Sequence, residues 1–133
     1  MTTELHLLMF TALLTGILWI PVVIGMVTNR GMLTPSDYKV ASTSPLPEWV
    51  DRANRAHINA VENFAPFAAV VLVAHVLQIS SSVTVACAAI FFYGRLAHAI
   101  VHIMGIYLVR TLVFTVSWAA FLVFAIETLR LAG

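Results

Sequence analysis

Apolar positions along this 133-residue chain gather into four blocks separated by short polar stretches. The blocks run from Leu5 to Val27, Phe64 to Leu77, Val83 to Tyr107 and Leu108 to Leu131. A helix needs about 20 residues to cross the hydrocarbon core of a bilayer. Three blocks reach that length, and the second, with 14 residues, falls short. The pattern predicts four membrane-spanning helices over about 5–28, 48–78, 83–105 and 108–131, packed as a left-handed all-α bundle in one domain, 1–133. Pro21, inside the first block, predicts a local kink. Gly31 after Thr28-Asn29-Arg30 is the expected cap of that helix. The one long loop spans Met32 to Pro47, with turn signals at Thr34-Pro35-Ser36-Asp37 and Ser44-Pro45-Leu46-Pro47. Pro47 followed by Glu48 marks the start of the second helix. The other connections are short: Gln78 to Ser82, and Gly105-Ile106-Tyr107.

Composition sharpens this reading. The chain is 61% hydrophobic and 10% charged, with a mean hydropathy of +0.96. Soluble domains average about 25% charged residues, so an integral membrane protein is expected. A net charge of +1 argues against nucleic acid as a partner. The single cysteine, Cys87, cannot form an intrachain disulfide and reads as a packed thiol. The first apolar block has no basic leader and is too long for a cleaved signal, so it is expected to remain as a helix. Arg30, Lys39, Arg52, Arg55 and Arg110 lie toward the long-loop side, and Arg130 toward the other. The positive-inside rule then puts loop 29–47 in the cytoplasm and both termini on the opposite side.

The short second block carries the candidate chemistry. Its 14 apolar residues cover roughly 21 Å, against a core of about 30 Å. The missing length must come from the polar residues before Phe64, because Gln78 to Ser82 form the turn. Arg55, Asn59 and Glu62 recur at i, i+4 and i+7, which places them on one helical stripe within or at the edge of the bilayer. The third helix has its own stripe, Arg95, His98 and His102, at i, i+3 and i+7. Chain distance from the turn sets Glu62 level with Arg95 to about one turn, Asn59 with His98 and Arg55 with His102. A Glu62–Arg95 ion pair or shared network is the expectation. The same stripes can also serve only to join helices, and both roles can hold together. His57 lies off the stripe near the interface and reads as snorkelling, His75 reads as structural or interfacial, and His6 and Glu127 need no function. With Arg110 at the start of the fourth helix, the cationic groups suit a small zwitterionic ligand with more than one carboxylate. Glutathione has that character, although the residues alone do not name it.

The run from Arg55 to Phe67, Arg-Ala-His-x-Asn-x-x-Glu-Asn-x-x-Pro-Phe, is similar to the signature of the MAPEG family (membrane-associated proteins in eicosanoid and glutathione metabolism). Gly94-Arg95-Leu96-Ala97-His98 resembles that family's third-helix motif, and Arg110-Thr111 its Arg-Ser near the start of helix four. The first motif is specific and the others support it. The resemblance covers nearly the whole chain and points to a bacterial-type member similar to microsomal glutathione transferases. It implies a homotrimer with glutathione held between neighbouring subunits toward the cytoplasm, and transferase or peroxidase chemistry on lipophilic substrates from the bilayer. By position, Arg55, Asn59 and Glu62 match its glutathione-binding residues. His57 matches a position where some members place a polar side chain near glutathione. Arg95 and His102 fall in the same third-helix stripe, and His98 matches a ligand-contacting position. Arg110 matches the arginine credited with stabilising the thiolate. No metal is implied. Some eicosanoid-pathway members have tyrosines where this chain has His102 and, further along, Phe114, so specialised eicosanoid synthesis is not expected.

A free thiol ionises near pH 8.5, and the thiolate is the nucleophile. A cation at a helix N-terminus lowers that midpoint through charge and dipole, which is the role implied for Arg110. Two rivals come from other classes. A haem carrier would need two facing histidines at one depth, and His75 is far from His98 in depth. A non-catalytic membrane module, small transporter or assembly partner would use the polar stripe as a gate or contact.

Overall fold

A computed structural model describes residues 1–32, 34–35 and 45–133. Ser36, Asp37, Lys39 and Ser44, which entered the turn and charge readings, lie outside the described residues. Among these residues the chain is helical: α1 (Thr3–Ile17), α2 (Trp19–Arg30), α3 (Glu48–Val76), α4 (Ser82–Met104) and α5 (Tyr107–Ala132). Thr3–Arg30 forms one apolar span, and the other three helices are each long and apolar enough to cross a membrane. The four expected helices are therefore present, with ends moved by a few residues.

Local chemistry explains the ends. The Thr2 side chain accepts a hydrogen bond from the Leu5 amide at 3.4 Å and starts α1. The interruption falls at Leu18, ahead of Pro21, which has no N–H to offer the carbonyl four residues earlier. Gly31, at φ +81°, closes α2 with its N–H on the Val27 carbonyl at 2.9 Å. α3 carries Glu48 and Asp51 in its first turn and runs unbroken through Pro66. It ends in a two-bond cap, with Gln78 N–H on His75 O at 3.0 Å and Ile79 N–H on Ala74 O at 2.9 Å. Gln78 takes the left-handed conformation that this cap demands, at φ +58°. A reciprocal capping box follows: Thr84 N–H donates to Ser81 Oγ at 3.2 Å and Ser81 N–H to Thr84 Oγ1 at 2.8 Å.

Packing is built on α4. Gly94 lets α5 approach so closely that a Cβ there would lie 2.8 Å from the Ser117 Cβ. Phe67 of α3 stacks on Phe91 of α4 at 3.8 Å between centroids and meets Phe124 of α5 edge-on at 6.1 Å. Gly25 gives α2 its contact with Val50 and Trp49 of α3. At the end of the bundle away from the long loop, Glu4 is 4% exposed. Its Oε1 accepts from Ser80 Oγ at 2.7 Å and from Thr84 Oγ1 at 2.8 Å, tying α1 to the α3–α4 turn. On the outside, Phe10, Leu13, Ile24, Leu72, Ile100 and Leu112 are exposed, as a lipid-facing surface requires.

Candidate functional site

α3 sorts its residues into two faces. Ala53, Ala56, Ala60, Phe67, Val71 and Ala74 are buried against the bundle. Arg55, Ile58, Glu62, Ala65 and Ala69 are exposed on the opposite side. Asn59 lies half-buried at the boundary. This division decides what the α4 stripe meets.

Arg95 is 4% exposed, and its Nη2 donates to Asn59 Oδ1 at 2.6 Å. Its guanidinium also lies 5.8 Å from the Phe114 ring of α5. The expected Glu62–Arg95 pair is therefore not formed: Glu62 is exposed, and among the described residues it enters no ion pair. The reason is angular. Three residues advance a helix by about 300°, so Glu62 stands roughly 60° round from Asn59, on the outward side. The guanidinium, on its long stem, reaches the amide that is turned toward α4.

One turn along, His98 is 3% exposed and its ring lies 5.3 Å from that of His102 and 5.8 Å from Phe114. His102, 8% exposed, places Nε2 3.4 Å from Arg110 Nη1. A guanidinium only donates, so Nε2 accepts, and the proton of the neutral His102 ring is on Nδ1. Arg110 is half-buried in the first turn of α5, with its guanidinium 5.0 Å from the Tyr107 ring. Among the described residues, Arg95 Nη1, His98 Nδ1 and His102 Nδ1 are buried without a hydrogen-bond partner.

The structure thus brings Asn59, Arg95, His98, His102 and Arg110 into one chain of contacts within the subunit. Arg55 and Glu62 stay on the outer face, where, among the described residues, Arg55 Nε donates to the Asp51 carbonyl at 3.4 Å. His57 is half-buried and turned the other way: its Nδ1 lies 3.2 Å from the Thr15 carbonyl, just before the interruption of the first span. A carbonyl only accepts, so Nδ1 is the donor in this contact. A snorkelling role does not describe this contact. Two polar residues near the site were not among the candidate site residues. Asn63 donates to the Asn59 carbonyl at 2.8 Å. Arg52, read there only as a topological charge, donates from Nε to the Ile103 carbonyl of α4 at 2.9 Å. The amide beside Glu62 and the glycine closing α4 were the available signals.

Fold and site define a small multi-pass membrane protein with a polar, arginine- and histidine-rich patch inside a four-helix bundle. The MAPEG family model matches residues 7–130, nearly the whole chain, and the protein belongs to that family. Membership makes it an integral membrane protein of the glutathione and eicosanoid metabolism family, which includes transferases, peroxidases and non-catalytic members. Compared with curated proteins and with solved structures, the chain gives no match.

Proposed function

We propose that the protein is a membrane-bound glutathione transferase, with peroxidase capacity, that works as a homotrimer on lipophilic electrophiles and lipid hydroperoxides. The observation that carries the reading is the placement of Glu62. It is the central residue of the 29-residue α3 and it is exposed. That helix is about 43 Å long, so a hydrocarbon core of about 30 Å encloses its midpoint wherever the helix is set. A carboxylate facing lipid there costs about 2.5 kcal/mol or more. A second copy laid over this face, with a polar ligand between the copies, removes that cost. Arg55, exposed two turns along the same face, supplies the complementary charge.

Glutathione fits such a face by its chemistry: an ammonium for Glu62, carboxylates for Arg55 and an amide for Asn59, while His57, turned toward the Thr15 carbonyl, lies off this face. Arg95, His98 and His102 back the site from inside the subunit. Arg110, at the positive end of α5, stabilises the thiolate. The sulfur then forms a bond to an electrophilic carbon as the leaving group departs. With a hydroperoxide, it takes the distal oxygen and releases the alcohol, and a second glutathione completes the disulfide and water. The loop end of the bundle faces the cytoplasm, in keeping with Arg30, Arg52, Arg55 and Arg110 near it. The test is glutathione conjugation of a generic electrophile by the purified protein in detergent, alongside a glutathione thermal shift. Conjugation with stabilisation by ligand is expected. Stabilisation without conjugation assigns the chain to the non-catalytic members, and the absence of both effects refutes the reading.

A further inference from the structure

We infer that Arg52 is the positioning residue for Arg110, acting through the α4–α5 corner rather than by touching a ligand. The corner is only two residues long, Gly105 and Ile106, between Met104 and Tyr107. It is closed by Gly105 N–H on His102 O at 3.1 Å and Ile106 N–H on Val101 O at 3.0 Å. These bonds serve two of the last four carbonyls of α4, those of Val101 and His102, and leave those of Ile103 and Met104 to find other donors. Arg52, from α3, serves that of Ile103 with Nε at 2.9 Å. The contact continues over Gly105. A Cβ at that residue would lie 3.3 Å from Arg52 Nε and 3.5 Å from both Cδ and Cζ. Gly105 therefore answers two demands, its φ of +81° and the guanidinium lying on it. The far end of Arg52 is oriented by Glu48 Oε2, 3.2 Å from Nη1. A cation at this spot also meets the negative end of the α4 dipole.

The corner carries both members of the Arg110 contact. His102 is in the last turn of α4, and Arg110 is in the first turn of α5 with its N–H on the Ile106 carbonyl at 3.1 Å. The Arg110 Nη1 to His102 Nε2 distance of 3.4 Å is at the limit of a hydrogen bond, so a small rotation of the corner ends it. The hydrogen bonds of Arg52 go to the Ile103 carbonyl and to Glu48 rather than to His102 or Arg110, and it is half-buried rather than on the outward face with Arg55 and Glu62. Its influence on the thiolate passes through the corner. This inference rests on the proposed role of Arg110.

The test compares Arg52→Gln with wild type in the full protein, with two readouts. The first needs no ligand: amide hydrogen exchange at residues 103–110. Exchange there is expected to rise about tenfold or more, the size of a lost charged hydrogen bond, while the α3–α4 turn keeps its protection. The second is the pH midpoint of the thiolate of added glutathione. It is expected to rise by about one unit toward the free thiol, and to show no further rise when Arg52→Gln is added to Arg110→Ala. Arg52→Lys, which keeps the charge but cannot lie flat over Gly105, shows the same pattern at smaller size if Arg52→Gln does not fold. Wild-type exchange at the corner, an unchanged midpoint, or an equal rise in both backgrounds overturns the inference. If wild type binds no glutathione, the functional reading fails, and exchange alone then decides on the Arg52 contact.

Discussion

Replacing Asn59 by leucine strands the Arg95 guanidinium. Arg95 is 4% exposed, and the 2.6 Å bond from its Nη2 to Asn59 Oδ1 is the acceptor it has within the described bundle. Side-chain hydrogen bonds between membrane helices average about 0.6 kcal/mol. This one is worth more, because the donor is charged and cannot turn to water. A charged hydrogen bond contributes about 1.5–3 kcal/mol, and an uncompensated buried charge costs about 3–5 kcal/mol. Partial rearrangement toward the Phe114 ring, 5.8 Å away, offsets some of this. A loss of about 2–3 kcal/mol is therefore expected, roughly a 30- to 150-fold change in the unfolding equilibrium. The double variant Asn59→Leu/Arg95→Met removes charge and acceptor together and should return to within about 1 kcal/mol of wild type. Glu62→Gln combined with Arg95→Met should couple by less than about 0.5 kcal/mol. Unfolding in mixed micelles, at one protein and detergent concentration, measures all of these. A loss below about 0.5 kcal/mol for Asn59→Leu, or a double variant as unstable as the sum of its parts, refutes the reasoning.

Further outcomes follow from other parts of the bundle. Gln78→Gly relieves a left-handed backbone at φ +58° and should raise stability by about 1 kcal/mol, seen as a higher Tm. Gly94→Ala drives a methyl to 2.8 Å from the Ser117 Cβ and should cost about 1–3 kcal/mol, with partial recovery on adding Ser117→Gly, read from the same unfolding curves. Glu4→Ala removes the acceptor of the 2.7 and 2.8 Å bonds from Ser80 and Thr84. It should free the start of α1, read as faster amide exchange over the first two turns and at the α3–α4 turn.

The four helices were legible because block length and turn residues act locally. The 28-residue first span, its closure at Gly31 and the start at Glu48 follow from residues a turn apart. The interruption near Pro21 was legible too, although it lands at Leu18, because a proline removes a bond to the preceding turn. The site was half legible. Chain distance from the Gln78–Ser82 turn resolves depth to one helical turn, which was enough to bring α3 and α4 polar residues together. It does not resolve rotation, and rotation gave Arg95 to Asn59 and turned Glu62 outward. The Arg52, His57 and Glu4 contacts escaped for a related reason. Each links a side chain to a group that the sequence does not label: the Ile103 carbonyl, the Thr15 carbonyl and a hydroxyl pair 76 to 80 residues away.

The central claim is that Arg110 holds a glutathione thiolate at a site built from α3, α4 and α5. Its most direct test is a thiolate absorbance titration of glutathione on the purified protein, wild type against Arg110→Ala. A cation beside the sulfur favours the charged form, so the wild-type midpoint should lie below the free-thiol value of about 8.5, and the variant should move back toward it. A wild-type midpoint equal to that of free glutathione, or a midpoint the substitution leaves in place, contradicts the claim.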